Sequence, residues 1–249
     1  MTDLRGPPVA RRRPLLAGIA LLATSFGLGA ALRNNLAGTP LDSWFQRETV
    51  TESRHPGQPG FNDQLYVALT QATRAGASPG VIYLVVILSL AILWMGTRDR
   101  RPAPSKRTLA LALAPALAVT IAAGSAELVM KPLIDRRMIG NESVLTYPSG
   151  HAVATASVVS ATLIVMLGLR RPCINRAQQM LWGTAVFALI VIPLVVGLDM
   201  AMLRSHFLTD VVGGWAWGCG WGLLTGVSLA RPVVPRRLHA RRRSSMASA

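Results

Sequence analysis

Acidic residues and cysteines are scarce in this chain. Its 249 residues include 11 Asp and Glu against 26 Lys and Arg, and charged residues of both signs make up only 15%. This low charged fraction, together with 51% apolar residues, excludes an ordinary soluble domain and indicates an integral membrane protein. The two cysteines, Cys173 and Cys219, fall in a predicted loop and inside a predicted span, so no disulfide or metal framework is expected.

Long apolar runs are what the chain has in abundance. A transmembrane helix takes about 20 predominantly apolar residues, and six segments approach or exceed this length. They are residues 14–32, 80–96, 109–130, 151–169, 181–198 and 211–230. The second is short and the sixth contains several glycines, which are common in membrane helices. The sequence therefore predicts an all-α integral membrane protein with six transmembrane helices.

The basic residues are concentrated on one side of these predicted spans. They cluster in residues 1–13, after the second span, after the fourth span and in residues 231–249. Loops rich in Lys and Arg face the cytoplasm, which predicts cytoplasmic N- and C-termini in a cell (plasma) membrane. Nucleic acid is not an expected partner, because neither an aromatic-and-basic stripe nor a known reader motif accompanies the charge. The expected partners are the bilayer and a membrane lipid, and the sequence predicts no oligomeric state.

The predicted organisation is a single membrane domain with basic ends. Residues 1–13 form a basic cytoplasmic N-terminus, residues 14–230 the six-span domain, and residues 231–249 a basic disordered tail. The first span has the basic start of a signal peptide, but its apolar core exceeds the usual length of about 7–15 residues. An outer loop covers about residues 33–79. Within it, residues 62–75 are either an amphipathic surface helix or an ordinary polar loop.

Three polar stretches adjoin the apolar runs, and all fall on the predicted outer side. They are Lys131-Pro-Leu-Ile-Asp-Arg136, Tyr147-Pro-Ser-Gly-His151 and Arg204-Ser-His206-Phe-Leu-Thr-Asp210. Charged groups are costly in hydrocarbon and persist where they pair or face water. We therefore expect one pocket at the outer membrane boundary, formed where the last four predicted spans end.

His206 and Asp210 are four residues apart, which on a helix places both side chains on one face. A carboxylate that accepts a hydrogen bond from one ring nitrogen fixes the tautomer and leaves the other nitrogen available for attack. This pair suits a histidine nucleophile that becomes phosphorylated. Taken alone, such a pair is more often a casual surface contact at the start of a helix.

His151 follows a Pro-Ser-Gly turn and opens an apolar helix. The first amides of such a helix bind anions with the help of the helix dipole. The Ser149 hydroxyl and the Gly150 and His151 amides are therefore a predicted phosphate cradle, and His151 is placed to protonate a leaving alkoxide. The alternative is a plain helix cap with Ser149 at the N-cap.

Lys131 and Arg136 end the third predicted span. A guanidinium grips two phosphate oxygens and an ammonium adds a point charge, and both stabilise a charged transition state. The ordinary role of basic residues at such positions is anchoring at the membrane interface. The phosphate site is favoured because all three stretches occur together on an outer side that is otherwise poor in basic residues.

The order Lys…Arg, Pro-Ser-Gly-His and His-x-x-x-Asp resembles the three-part signature of the type 2 phosphatidic acid phosphatase superfamily, which includes lipid phosphate phosphatases. The likeness covers the last four predicted spans. It implies a helical fold and hydrolysis of a phosphomonoester or diphosphate, without metal or cofactor, through a phosphohistidine on His206. It also implies that His151 is the acid and Asp210 the orienting carboxylate. The implied phosphate ligands are Lys131, Arg136, Ser149 and Gly150.

The chain departs from this signature at two arginines. The superfamily usually has an arginine seven residues after the lysine, and this position is Met138 here. Arg136 lies at plus five, with Arg137 as a second candidate. Met200 stands where an arginine is expected six residues before the histidine. Arg204 lies two residues before the histidine, which on a helix differs by only about 40° in direction, so we expect Arg204 to bind the phosphate instead.

The sequence thus predicts a membrane lipid phosphatase that acts at the extracytoplasmic face on a lipid whose tail enters from the bilayer. Polyprenyl diphosphate is the first substrate expected, because recycling of that carrier needs an outward-facing phosphatase. Phosphatidylglycerophosphate, phosphatidic acid and a prenylphosphoryl sugar phosphate follow, and no sequence motif selects among them. The alternative is a catalytically inactive family member or a transporter-like protein that binds lipid phosphates.

Overall fold

The structure is a computed structural model that describes residues 9–33, 35, 38–50, 106–138, 141–169, 176–202 and 206–229. Three predictions fall outside these residues: the second span at 80–96, the surface helix at 62–75 and the disordered tail at 231–249. Arg204, the predicted phosphate ligand of the third stretch, also lies outside them.

Helices form nearly all of the described chain. Their bounds are α1, Val9–Leu32; α2, Pro40–Val50; α3, Lys106–Ser125; α4, Lys131–Ile134; α5, Gly150–Leu169; α6, Arg176–Met202; and α7, Leu208–Leu229. A π-helical turn, Ala126–Met130, joins α3 to α4 without a break. The predicted helical character is confirmed for these residues, with one correction, a short antiparallel ribbon.

The ribbon follows the end of α4. Asp135 ends that helix in the left-handed conformation, with φ 49°, which aspartate adopts more readily than most residues. The chain then continues extended as β1, Arg137–Met138, and pairs with β2, Asn141–Leu145. The all-α prediction did not include this ribbon, because a run of only two residues in β1 is too short to show a strand period in the sequence.

Four helical segments in the described part of the chain are long and apolar enough to cross a membrane. They are Arg13–Leu32, Leu113–Ile134, Gly150–Leu167 and Trp182–Met202, and they match the first, third, fourth and fifth predicted spans. The helix α7 coincides with the sixth predicted span but is not among the four. Its six glycines and three tryptophans lower its hydropathy. The count of six spans therefore stays a prediction.

The helices α5 and α7 form the centre of the molecule. They pack against each other more extensively than any other pair, and α1 and α3 also pack against α7. In α5, 67% of the membrane-spanning window is buried, against 22% in α1. The end of α5 that carries the Pro-Ser-Gly-His turn is therefore held from several sides.

Glycine permits the close contact between these two helices. A Cβ atom on Gly214 of α7 would lie 2.8 Å from the Ser149 carbonyl oxygen and 2.8 Å from the Cβ of Ala152. Real Cβ atoms do not approach their neighbours so closely, so any larger residue would force the helices apart. The first turns of α5 and α7 are thereby brought together, and with them two of the three polar stretches.

Candidate active site

The three polar stretches meet at one end of the helices. The Ser149 amide donates to the Asp210 carbonyl oxygen over 3.1 Å, and Arg136 pairs with the Asp210 carboxylate. The charge of Lys131 acts on His206. Seven of the eight predicted site residues lie here: Lys131, Arg136, Ser149, Gly150, His151, His206 and Asp210.

The Tyr147–His151 turn presents the start of α5. The Tyr147–Pro148 peptide bond is cis, and the Tyr147 hydroxyl donates to the Ser25 carbonyl oxygen of α1. Ser149 is fully buried, and its hydroxyl has no hydrogen-bond partner within the described part of the chain. The first intrahelical bond runs from the Val153 N–H to the Ser149 carbonyl oxygen over 3.0 Å. A buried, unpaired hydroxyl beside first-turn amides is the arrangement expected of an anion cradle.

Lys131 begins α4 directly after the π-helical turn. Its ammonium lies 2.6 Å from Glu127 Oε1, and the two side chains are 16% and 54% exposed. The same Glu127 oxygen lies 3.5 Å from the position that a Cβ atom on Gly150 would take. Lys131 is therefore held beside the start of α5 by a carboxylate that solvent reaches, and a phosphate can replace this partner.

Arg136 is fully buried between two carboxylates. Its Nη1 donates to Thr209 Oγ1 over 2.8 Å and to Asp210 Oδ1 over 2.5 Å, and its Nη2 lies 3.4 Å from Asp42 Oδ2. The guanidinium carbon also lies 4.3 Å from the centroid of the Phe207 ring, a cation–π contact. These contacts correct the predicted two-pronged grip on phosphate. Its Nε is buried and has no hydrogen-bond partner among the described residues.

Asp210 lies in the first turn of α7. Because that helix begins at Leu208, His206 precedes it, so the prediction that one helix carries both residues is wrong, although the two side chains do lie close together. Asp210 Oδ2 accepts the Phe207 N–H over 3.2 Å, as the carboxylate of a capping box does. His206 Nδ1 is 3.9 Å from the same oxygen, beyond hydrogen-bond distance. The two groups are neighbours, but the carboxylate bonds to other donors.

Burial and positive charge keep His206 neutral. Loss of hydration first, and then the charges of His151 and Lys131, lower the pKa of His206 from 6.5 to about 4, although a hydrogen bond with the Thr146 backbone opposes this shift. Its Nδ1 is buried and has no hydrogen-bond partner in the described part of the chain. An imidazole with this pKa is unprotonated at neutral pH and is available as a nucleophile.

Two further residues of the site were missed from the sequence. Asp42 on α2 contacts Arg136, and Thr146 binds the Arg136 carbonyl oxygen through both its amide, at 2.8 Å, and its hydroxyl, at 3.2 Å. The pattern Thr39-Pro-Leu-Asp42 is a capping-box signature that predicts the start of a helix. It gives no sign of the distant partner, because that contact joins residues 94 positions apart.

Among the described residues, the positions that depart from the superfamily signature do not supply a cation to the site. Met200 is buried in an apolar cluster with Ala152 and Val211. Arg137, the second candidate, is exposed and pairs with Asp135 over 3.2 Å. Within the described part of the chain, Lys131 and Arg136 are therefore the Lys and Arg side chains that the structure places in the site.

Comparison with the sequences of known proteins gives one partial match. No protein-family model matches the chain. The chain is similar to phosphatidylglycerophosphatase B of Bacillus subtilis (strain 168), with 32% identity over 78 residues. This match covers 31% of the chain and 36% of that protein, so it spans about a third of the length of the curated relative.

Comparison with solved structures gives a match over most of the chain. The protein is similar to a transmembrane PAP2-type phosphatidylglycerolphosphate phosphatase from Bacillus subtilis, with a TM-score of 0.58 and 22% identity. The match covers 84% of this chain and 93% of the other. The two proteins share a fold. The fold expected from the resemblance is thereby confirmed, together with the prediction of a multi-pass membrane protein.

Proposed function

We propose that this chain is a membrane lipid phosphatase that hydrolyses a lipid phosphate or diphosphate through a phosphohistidine on His206. One observation carries the proposal: a neutral His206, whose side chain is 14% exposed, lies beside the Asp210 carboxylate and near the charges of His151 and Lys131. The fold shared with a PAP2-type phosphatase supports it. The names of both similar proteins, which are phosphatidylglycerophosphate phosphatases, support the class of substrate.

In the first step, His206 attacks phosphorus. A nitrogen lone pair forms the P–N bond while the bond from phosphorus to the lipid oxygen breaks, and protonated His151 gives its proton to that leaving oxygen. Lys131, Ser149 and the first amides of α5 stabilise the charge on the remaining phosphoryl oxygens. The imidazole becomes positively charged, and Asp210, 3.9 Å from Nδ1, stabilises this charge.

In the second step, water attacks the phosphohistidine. His151, which is now neutral, takes a proton from that water as the new P–O bond forms. The P–N bond breaks and its electron pair returns to His206. Inorganic phosphate leaves in this step with either substrate. The group that left in the first step is the lipid alcohol if the substrate is a monophosphate and the lipid monophosphate if it is a diphosphate. Both histidines then have their starting protonation states.

The proposed substrates are lipids whose tails stay in the bilayer. Exposed apolar side chains line the membrane-spanning parts of α3 and α6, among them Leu113, Leu117, Leu194 and Leu198, and provide contact with lipid. Phosphatidylglycerophosphate is the first substrate to test, because both similar proteins carry that name. Polyprenyl diphosphate, the first expectation from the sequence, comes second, followed by phosphatidic acid and a prenylphosphoryl sugar phosphate.

We also propose that the site faces outside the cytoplasm. The support is the distribution of basic residues over the predicted loops, which places both termini, residues 1–13 and residues 231–249, in the cytoplasm of a six-span protein in the plasma membrane. Labelling of single-cysteine variants with a membrane-impermeant thiol reagent in intact cells checks the orientation. Labelling of a cysteine in the tail of intact cells would contradict it.

Phosphate release by the purified protein in detergent with EDTA tests the function. The four lipids are offered in turn, and His206→Ala is the control. The wild type is expected to release phosphate from at least one lipid, and His206→Ala is expected to release none above background. Activity that depends on added metal refutes the mechanism. A wild type that is inactive on every lipid refutes the enzyme and favours the lipid-phosphate-binding protein.

Arg204 is proposed as a further phosphate ligand, on the ground of its place two residues before His206. Its replacement by alanine is expected to lower kcat by more than about tenfold, as loss of a donor to a charged transition state does. The matched control is Arg54→Ala in the predicted outer loop. Equal activities of the two variants would show that Arg204 is not a phosphate ligand.

A further inference from the structure

Asp42 of α2 belongs to the charge network of the site although it is far away in sequence. Its side chain is buried, with 1% of the residue exposed. Oδ1 accepts the Thr209 N–H over 2.9 Å, and Oδ2 accepts the Thr209 hydroxyl over 2.9 Å and lies 3.4 Å from Arg136 Nη2. These contacts bind α2 to the first turn of α7, 167 positions later in the chain.

Helix capping accounts for only part of these contacts. Asp42 Oδ2 accepts the Thr39 N–H over 2.8 Å and the Thr39 hydroxyl over 2.9 Å, and the Asp42 N–H is 3.2 Å from the Thr39 hydroxyl. Together these bonds form a capping box at the start of α2. A capping box requires neither complete burial nor a buried arginine. The contacts with Thr209 and Arg136 therefore serve another purpose.

The two carboxylates share one guanidinium, so the three groups together carry a net negative charge. The side chains of Asp42, Arg136 and Asp210 are all 0% exposed, and arginine keeps its charge at any accessible pH. Hydrogen bonds from Thr39 and Thr209 outweigh the effect of burial and lower the pKa of Asp42, which keeps it ionised. Asp210 and Arg136 alone would sum to zero. With Asp42 the group carries one net negative charge beside His206.

This negative charge matters when the imidazole takes up the phosphoryl group. The ring then becomes positive in a buried place, where an unopposed charge is unfavourable. One of the groups near the ring, Lys131, repels the new charge, whereas His151 has given up its proton by this point. The group formed by Asp42, Arg136 and Asp210 opposes that repulsion, and Asp42 decides whether the group is negative or neutral.

We propose that Asp42 is a positioning residue for the phosphatase reaction. It fixes Arg136 and the first turn of α7, and its charge leaves Asp210 with negative charge to offer His206. Asp42 acts through these residues, because its own buried side chain is bonded to Thr39, Thr209 and Arg136. The inference rests on the proposed function, because it concerns the step in which His206 becomes phosphorylated.

The test compares Asp42→Asn with Asp135→Asn in detergent, by kcat and KM for a lipid that the wild type hydrolyses. Asparagine keeps the size and one acceptor oxygen of Asp42 and removes its charge. We expect kcat to fall about tenfold or more and KM to change less than about threefold, since an interaction made in the transition state is lost. Asp135 is the matched control, since it is 49% exposed, pairs with Arg137 and has a backbone φ of 49° that asparagine adopts well.

A second variant and a folding measurement distinguish a loss of turnover from a loss of folding. Thr209→Val removes the hydroxyl that links Asp42 to Arg136, and we expect it to lower kcat about threefold or more, because a carboxylate and a guanidinium each lose a hydrogen bond. Thermal unfolding in detergent shows whether each variant is folded. If Asp42→Asn does not fold, Thr209→Val decides, and an unchanged kcat there overturns the proposal.

The remaining outcomes separate the inference from the proposed function. An Asp42→Asn kcat equal to that of Asp135→Asn, with an active wild type, overturns the inference alone. A raised KM at constant kcat also overturns it, because it shows a contact with substrate. An inactive wild type refutes the proposed function, and the inference falls with it.

Discussion

Lys131 and Arg136 lie five positions apart in the chain and in opposite physical surroundings. Lys131 is partly exposed and pairs with Glu127, whose side chain is 54% exposed, whereas Arg136 is fully buried between Asp42 and Asp210. An exposed ion pair contributes little stability and exchanges partners readily, but removal of one member of a buried group leaves an uncompensated charge. We propose from this difference that Lys131 meets the substrate and that Arg136 fixes the geometry around it.

The largest expected effect is that of Arg136→Ala. This change leaves Asp42 and Asp210 buried without their cation, and we expect it to lower the free energy of unfolding by about 3–5 kcal/mol. Denaturation of the purified protein in detergent micelles measures the loss. Arg137→Ala is the matched control, because that neighbouring side chain is 45% exposed. An Arg136→Ala protein with wild-type stability and no activity would make Arg136 a simple phosphate ligand and end the comparison.

Lys131→Ala is expected to act on turnover and to leave stability nearly unchanged. Loss of the ammonium removes a cation beside the phosphoryl group, so kcat falls about 100-fold. The lost ion pair with Glu127 changes the free energy of unfolding by less than about 1 kcal/mol. Phosphate release and denaturation of the same preparation give both values. A stability loss as large as that of Arg136→Ala would show that the two cations have the same role.

The pH dependence of kcat/KM tests the electrostatic effect of Lys131 on His206. The nucleophile must be unprotonated, so activity falls as pH drops through the pKa of His206, which lies near 4 rather than 6.5. This fall lies below the one caused by protonation of Asp210, because burial raises the pKa of that carboxyl to about 6 in every variant compared. In Lys131→Ala a repelling charge is absent, the pKa rises, and the acid limb moves to higher pH. It stays below 6.5 because burial is the first cause of the shift. If the acid limb of the Lys131→Ala profile lies at the same pH as that of Arg137→Ala, the charge of Lys131 does not affect the pKa of His206.

Glu127→Gln is expected to have the smallest effect. The Glu127 carboxylate forms an ion pair with the Lys131 ammonium in the structure without substrate. Removal of the carboxylate charge therefore leaves the ammonium more available to bind the phosphate of the lipid. We expect KM to fall less than about threefold and kcat to stay the same, the size typical of an exposed ion pair. Initial rates over a range of lipid concentrations measure both. A large loss of kcat would mean that Glu127 has a part in the reaction itself.

The apolar runs predicted the helices well, because a membrane span depends on the length and hydrophobicity of one continuous segment of the sequence. The described segments Arg13–Leu32, Leu113–Ile134, Gly150–Leu167 and Trp182–Met202 confirm this for four of the six predicted spans. The site stretches were also found from the sequence, since unusual polar groups at the ends of apolar runs need a partner or water. Their roles stay predictions.

The contact partners of the polar site residues could not be predicted from the sequence. Nothing local connects Asp42 with Thr209, 167 positions apart, or shows that Arg136 turns toward carboxylates rather than outward. The spacing of His206 and Asp210 was misread for a related reason. Four residues suggest one helical face, but α7 starts only at Leu208, after the histidine. Tertiary contacts decide both points, and a single sequence does not contain them.

The π-helical turn Ala126–Met130 makes the position of Lys131 depend on the number of residues before it. Such a turn holds one residue more than an α-helical turn, and each residue of an α-helix rotates the chain by about 100°. Deletion of one residue between Ser125 and Lys131 would let the helix close regularly and would turn α3 by that angle against the lysine. All site side chains would still be present. For the proposed site, the length of that segment is as much a requirement as the lysine itself.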